Sequence, residues 1–319
     1  MELSGRRYPI GIQNFEQLRT RNCVYVDKTE LVYKLVNTDQ IYFFSRPRRF
    51  GKSLLVSTLE AYFQGKKELF EGLAMERLEQ EWEVCPVLHV DFSLTKYTEL
   101  RDLTGQLNLF LSRWEEIYGK KEEEEGAAER LQGIILRAYA KTGKPVVVLI
   151  DEYDVPLAKA YENGYYDDMV LLLRNMFGNV LKSNDSLAFA VLTGCLRIAK
   201  ESIFTGLNNF KVYSITDQEF DETFGFTDAE VKAMLQYYGL QDYFDAVREW
   251  YDGYRFGKVD VYCPWDVVNY CSDHRKNPDV EMKNYWMNTS GNEVIRHFVN
   301  SMKAVSYTHL RAHETDQYL

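Results

Sequence analysis

A strand that runs directly into a basic, glycine-containing loop constrains this chain more than any other feature. The apolar run at 41–45 is followed by R-P-R-R-F-G-K-S at 46–53 and then by a helix-forming stretch at 54–63. A strand, a loop and a helix N-terminus in this order predict a phosphate-binding P-loop, in which backbone N–H groups and the positive helix end face the phosphates. In the usual pattern G-x-x-x-x-G-K-[ST] the first glycine would stand at Arg46, so the match is imperfect at that end.

The loop residues predict individual contacts to a nucleoside triphosphate. Lys52 is expected to reach the β- and γ-phosphates, and the Ser53 hydroxyl to ligate Mg²⁺. The planar guanidinium of arginine also suits phosphate, so one or two of the loop arginines are expected to touch it, in cis or from a neighbouring subunit. A merely solvated basic loop is the alternative. The predicted nucleotide-binding set is Arg46, Arg48, Arg49, Phe50, Gly51, Lys52, Ser53 and Leu54.

A second motif lies about a hundred residues further on. Five apolar residues at 146–150 end in Asp151-Glu152. Such a run is typical of a buried strand in a parallel sheet, and its C-terminal end is where open α/β sheets bind ligands. We expect Asp151 to hold the Mg²⁺ shell and Glu152 to polarise the water that attacks the γ-phosphate. The alternative, an acidic strand-to-helix turn capped by Asp154, is less favoured because the G-K-S loop stands upstream.

Further apolar runs complete the predicted architecture. Strands at 87–92, 187–192 and 210–215 alternate with helical patterns, which predicts an α/β fold with a parallel sheet sandwiched by helices. Thr193, at the end of the 187–192 strand, is expected to act in catalysis as a polar sensor of the γ-phosphate or the water. Capping of the turn before Gly194 is the alternative. From about residue 216 short helices predict a helical lid or winged-helix-like domain.

Several motifs together resemble the bacterial AAA-ATPase-like family, over about residues 8–301. The resemblance implies a P-loop NTPase fold of the AAA+/ASCE-like type, and this family also carries arginine and proline where the first glycine would stand. It would place 25–29 near the adenine, although simple packing of Val26 and Leu31 is an equal alternative. The motifs are R-P-R-R-F-G-K-S, D-E-Y-D at 151–154, L-T-G at 192–194, S-I-F-T-G-L-N-N at 202–209, Y-V-D-K-T at 25–29, W-Y-D-G-Y at 250–254 and Y-W-x-N-T-S at 285–290.

Composition excludes some other classes. The net charge of −10 argues against a surface that coats nucleic acid. No apolar stretch is long enough to span a membrane, and the first residues lack the apolar core of a signal peptide. The five cysteines include no C-x-x-C pair, which indicates neither a zinc site nor a disulfide framework. A cytoplasmic protein without membrane contact is therefore expected.

These observations predict an Mg-ATP-binding P-loop ATPase whose hydrolysis is coupled to lid or partner rearrangement. The alternative is a nucleotide-dependent interaction switch with little or no hydrolysis, and a small-molecule kinase is a third, weaker reading. A protein partner or a homo-oligomer is expected. The predicted division is an ATPase domain at 1–215, a lid at 216–304 and a non-native read-through tail at 305–319. Family members often continue into a restriction-endonuclease-like domain, so nucleic-acid contact is expected only through such a domain, which we do not find in this sequence.

Overall fold

In the computed structural model, residues 5–182, 184–195 and 211–285 are described. They group into two compact units. The first comprises the residues up to Gly225 together with Phe256–Val259, and the second comprises Phe226–Arg255 and the residues from Asp260 on. The division falls after Gly225 rather than after residue 215, and a short later segment returns to the first unit.

The first unit is built on a five-stranded sheet in which every neighbouring pair of strands is parallel. Three of its strands coincide closely with the apolar runs at 87–92, 146–150 and 187–192. The strands are β1 (Ile41–Ser45), β2 (Val87–Asp91), β3 (Val146–Asp151), β4 (Leu187–Gly194) and β5 (Lys211–Tyr213). Every residue of β1 and of β3 is buried, as a strand covered on both faces requires.

Helices cover both faces of this sheet, which confirms the predicted parallel sheet between two helical layers. One face packs on α5, α6 and α8 through a core that includes Leu107, Ile134 and Phe177. On the other face Phe63 of α3 stacks on Phe189 of β4. The helices are α1 (Phe15–Thr20), α2 (Thr29–Val36), α3 (Lys52–Phe63), α4 (Ala74–Leu78), α5 (Leu100–Tyr118), α6 (Ala127–Thr142), α7 (Val155–Asn163) and α8 (Tyr166–Leu181).

The strand order is β2-β3-β4-β1-β5, so β4 lies between the strand that enters the P-loop and the strand that ends in Asp151. The register pairs Ser45 with Gly194, and Ile150 with Leu192. Because parallel strands end at one edge, the carboxyl ends of β1, β3 and β4 lie side by side. The fold therefore gathers the loop, the acidic pair and Thr193 at one place.

The described part of the second unit contains helices and the outer parts of a β-hairpin, whose residues Phe256–Val259 belong to the first unit. The helices are α9 (Asp228–Tyr237), α10 (Phe244–Tyr251) and α11 (Pro264–Lys276), and the hairpin strands are β6 (Asp252–Phe256) and β7 (Val259–Tyr262). A capping box opens α9, since the Thr227 backbone N–H donates to Glu230 Oε2 at 2.8 Å. Residues 252–262 pair as two strands, which the short helices predicted from the sequence did not include.

Among the described residues, no helix combines the length and the apolar character needed to cross a bilayer. Arg197, the 202–209 motif and the 305–319 segment lie outside the described residues.

Candidate functional site

The backbone of the loop turns sharply just before α3. Gly51 precedes the helix with a φ of 93°, and its carbonyl accepts the first helical bond, from the Leu55 N–H, at 2.9 Å. Arg49 also takes the left-handed region, with a φ of 69°. The loop therefore places its left-handed residues at 49 and 51 and needs none at Arg46, where the usual pattern has glycine. The first N–H groups of a three-turn helix are left to face an anion.

Lys52 lies buried at the centre of the site. Its Nζ is 3.2 Å from Glu152 Oε1, and it lies 3.3 Å from both the Pro47 carbonyl oxygen and Cys195 Sγ. Burial alone would lower the pKa of Lys52, but Cys195, Glu152 and Asp154 raise it above its usual value. Burial also raises the pKa of Cys195 to about 12, so its thiol is neutral near pH 7. Cys195 therefore adds to the charge stabilisation of Lys52 only at high pH, and near pH 7 the carboxylates of Glu152 and Asp154 stabilise the ammonium.

The side chain of Asp151 contacts two other predicted site residues, Ser53 and Thr193, which come from other elements of the fold. It is buried, and the Thr193 hydroxyl at the end of β4 donates to its Oδ1. The Ser53 hydroxyl at the start of α3 also hydrogen-bonds the carboxylate. Burial and the charge of Glu152 raise the pKa of Asp151, while the two hydroxyls and Lys52 oppose that rise. Predicted metal ligands Ser53 and Asp151 are thus brought together, with Thr193 beside them.

These oxygens suit Mg²⁺, which is usually bound through one or two carboxylates, waters and substrate phosphates rather than a full protein cage. Consistent with that donor set, no group of three or more His, Cys, Asp or Glu side chains within the described residues could hold a metal alone.

Glu152 adopts an unusual backbone conformation. Its φ is 53°, in the left-handed region that non-glycine residues enter at a cost of about 1–2 kcal/mol. Its backbone N–H donates to Asp151 Oδ1 at 3.0 Å, and its side chain is 17% exposed. Strain of this kind is concentrated at functional sites, where it fixes the direction of a side chain. Here it directs the carboxylate of Glu152 toward Lys52.

Two residues of the site were missed from the sequence. Asp154 precedes α7, but its side chain does not cap that helix. Instead Asp154 Oδ2 accepts the N–H of Cys195 at 2.9 Å, which fastens the end of β4. Burial, together with Glu152, raises the pKa of Asp154 to about 6. The repeated acid in D-E-Y-D was the available signal for Asp154, whereas nothing in the sequence indicated Cys195.

The three loop arginines differ in their surroundings. Arg46 is fully buried, and its contact with phosphate stays a prediction; the partners of its side chain are described below. Arg48 is exposed, and it acts on Cys195 by lowering the pKa of that thiol in part. Arg49 is half-buried. Contact of Arg48 and Arg49 with phosphate stays a prediction.

The other two members of the predicted binding set have different surroundings. Phe50 is buried with its ring against Phe256, so only its backbone is placed to meet a phosphate. Leu54 is half-buried in the first turn of α3, where its carbonyl accepts hydroxyl bonds from Ser57 and Thr58.

The 25–29 motif makes structural contacts. Asp27 Oδ1 accepts the N–H of Thr29 at 2.9 Å, and Asp27 Oδ2 accepts the N–H of Ala74 at 2.7 Å. Thr29 Oγ1 in turn accepts the N–H of Met75 at 3.0 Å. These bonds join the start of α2 to α4 and give Asp27 and Thr29 a structural role, while proximity of the motif to adenine stays a prediction.

Comparison with known proteins gives a family and a relative. Residues 9–204 match the family model described as "Predicted AAA-ATPase". A protein of Azotobacter chroococcum mcd 1, described as an uncharacterized protein in the vnfD 5′ region, is 32% identical over 302 residues. That alignment covers 90% of this chain and 55% of the relative, so the chain spans about half the length of the curated relative that it matches.

Solved structures give looser likenesses. The Aeropyrum pernix ORC2 protein, solved as ADPNP-ADP complexes, is similar with a TM-score of 0.43 and 12% identity, over 90% of this chain and 71% of that one. A signal-transduction ATPase with numerous domains and a tetratricopeptide repeat sensor, from Pyrococcus horikoshii, is similar with a TM-score of 0.40 and 13% identity, over 95% of this chain and 35% of that one.

Proposed function

The chain belongs to the predicted AAA-ATPase family, and from that premise we propose that it binds Mg-ATP at the P-loop and hydrolyses it. The observation that carries the proposal is the convergence of Lys52, Ser53, Asp151, Glu152 and Thr193 at one sheet edge. A phosphate-binding lysine, a hydroxyl–carboxylate pair and a second carboxylate are the parts that phosphoryl transfer to water requires.

The negative charge of the site indicates that a triphosphate would need a cation in order to bind there. Three carboxylates, those of Asp151, Glu152 and Asp154, surround the single ammonium of Lys52. A triphosphate would add further negative charge to this cluster. Mg²⁺, when bound at Ser53 and Asp151, would supply the positive charge that lets the phosphate oxygens approach. Arg48 is placed to add to that attraction.

Each residue then has a defined task. Lys52 exchanges its ion pair with Glu152 for the β- and γ-phosphates. The freed Glu152 carboxylate, held by its strained backbone, accepts a proton from the attacking water. Thr193 keeps Asp151 oriented through its hydroxyl and faces the water. The cycle would be coupled to rearrangement of a lid or partner, with a homo-oligomer as one form of partner. A cytoplasmic location fits both the ATP requirement and the free cysteines.

A nucleotide-dependent switch with slow or absent hydrolysis is a second candidate. The 3.2 Å ion pair between Lys52 and Glu152 favours it, because the proposed base is engaged with the phosphate-binding lysine. If phosphate binding does not break this pair, the protein would bind ATP without turning it over.

Calorimetric titration with Mg-ATP and steady-state phosphate release, performed on three proteins, test both candidates. Lys52→Ala should weaken binding strongly, because it removes the charge paired with the phosphates. Glu152→Gln should retain binding and lose turnover, because an amide cannot take the water's proton. Wild-type protein that binds ATP but releases no phosphate would leave only the switch. Unchanged affinity in Lys52→Ala would refute the P-loop assignment.

A further inference from the structure

Arg46 stands where the first P-loop glycine would be, yet its backbone φ is not left-handed. The residue is therefore not needed for backbone freedom, and its role must lie in its side chain. That side chain is fully buried, which is rare for an arginine without a carboxylate bonded to it.

The guanidinium of Arg46 ties the start of the loop to the neighbouring strand. Its Nη1 donates to the carbonyl oxygens of Ser45 at 3.0 Å and of Tyr213 at 2.9 Å. In the described part of the chain, Nε and Nη2 have no hydrogen-bond partner. Burial lowers the pKa of Arg46 to about 10, so it remains charged near pH 7. This charge is retained although its hydrogen bonds are incomplete.

Aromatic rings, together with the charges of Asp217 and Asp221, favour the buried guanidinium. The guanidinium carbon lies 5.1 Å from the ring centroid of Phe224 and 5.2 Å from that of Phe256. A third ring, Phe44, lies at 6.0 Å. Such cation–π contacts are strongest where water is excluded. Phe256 also packs on Phe50 of the loop, with centroids 5.1 Å apart.

Phe256 belongs to the hairpin tip, which we define as Phe256–Val259, the segment that joins the first unit. The tip is closely docked. The Gly257 N–H donates to the Ile215 carbonyl at 2.7 Å, and the Lys258 N–H donates to Asp221 Oδ2 at 3.3 Å. Gly257 has a φ of 52°, and a Cβ there would lie 2.7 Å from the Asp217 carbonyl oxygen, so only glycine fits.

From these contacts we propose that Arg46 and Phe256 are positioning residues for the P-loop, and that the hairpin tip holds the loop in its phosphate-binding shape from beneath. Phe256 supports the loop through the Phe50 ring, and Arg46 fixes its first residue to β5. This inference rests on the proposed function and adds to it the residues that replace the first glycine.

The test uses the protein with the sequence given above and four variants of it. Arg46→Met removes the charge and both carbonyl bonds while keeping an apolar side chain of similar length. The bonds that it removes go to two backbone carbonyls rather than to a hydrogen-bonded carboxylate, so no buried ion pair is broken and this variant is expected to fold. Phe256→Ala removes both ring contacts, and Phe256→Leu keeps apolar volume without the ring. Lys258→Ala is the matched control, because it alters an exposed tip side chain and leaves the tip's backbone bonds intact.

Three measurements are made on each protein: the Mg-ATP dissociation constant by calorimetry, the melting temperature, and hydrogen exchange of the amides at 48–53. Arg46→Met should bind Mg-ATP about tenfold more weakly with an undiminished melting temperature and faster loop exchange. Phe256→Ala should lose about as much affinity, with Phe256→Leu between it and wild type.

The positioning role is supported if Mg-ATP affinity falls as amide exchange at 48–53 rises across the variants, with no such relation between affinity and melting temperature. Folded Arg46→Met with wild-type affinity and wild-type loop exchange overturns it, as does affinity that follows melting temperature alone. Failure of wild type and Lys258→Ala themselves to bind Mg-ATP would instead refute the proposed function, and with it any phosphate loop to be positioned.

Discussion

Asp154 should make the first unit less stable as pH rises, and replacing it with asparagine should remove that effect. Its carboxyl group is only 4% exposed, and burial next to Glu152 raises its pKa from 3.8 to about 6. The folded protein therefore binds this proton more tightly than the unfolded chain does. The resulting stability is fully present below about pH 4 and is lost as pH rises through 6.

The magnitude follows from the pKa difference. Each pKa unit corresponds to about 1.4 kcal/mol, so a shift from 3.8 to about 6 amounts to about 3 kcal/mol of unfolding free energy. The amide of Asp154→Asn stays neutral at every pH, and its Oδ1 can still accept the Cys195 N–H. The difference in unfolding free energy, variant minus wild type, should thus grow by up to about 3 kcal/mol between pH 4 and pH 7.5.

Urea unfolding in the absence of nucleotide measures this difference. Trp82 and Trp114 report on the first unit when the remaining tryptophans are replaced by phenylalanine. His89 contributes a slope of the same sign, because Glu60 raises its pKa despite burial, but this slope is common to both proteins. Glu123→Gln, which changes an exposed carboxylate, should run parallel to wild type. Parallel curves for wild type and Asp154→Asn would refute the reasoning.

Three further substitutions test the site's geometry. Gly194→Ala should destabilise by about 1–3 kcal/mol in calorimetric melting, because its Cβ would lie 2.3 Å from Tyr153 Cε1; an unchanged melting temperature would contradict this close approach. Arg49→Asn should be about 0.5–1 kcal/mol more stable than Arg49→Ala in urea, since asparagine tolerates a left-handed φ better; equal stability would show that the φ of 69° is not maintained. Thr193→Val should keep Mg-ATP affinity in titration calorimetry but lower phosphate release about tenfold or more, because it removes the hydroxyl that orients Asp151; full activity would assign Thr193 to the turn alone.

The sheet and the phosphate-loop residues were accessible from the sequence because each depends on local order. An apolar run followed by G-K-S, and another ended by Asp-Glu, places Lys52, Ser53 and Asp151 without knowledge of the sheet order. The role of Arg46 was not accessible, since its burial depends on Phe224 and Phe256, which come much later in the chain.

The β-hairpin at 252–262 was not predicted from the sequence, although a local signal for it was present. Burial alternates along residues 252–256, just before a Gly-Lys turn, which is a strand signal that the neighbouring helical patterns obscured. Cys195 could not be placed by any local rule, because its position beside Lys52 comes from packing of β4 between β1 and β3.

The central place of β4 also governs the order in which the chain can fold during synthesis. Among the described residues, the strands that pair with β1 are β4 and β5, so both edges of this fully buried strand stay unpaired until residue 187 and beyond have emerged. At about 5–20 residues per second, that interval is on the order of ten seconds. Throughout it an apolar strand is open to pairing with other nascent chains. We expect a ribosome-bound chain that ends before Leu187 to aggregate or to recruit a chaperone, and to acquire its nucleotide site only when β4 slides in between β1 and β3.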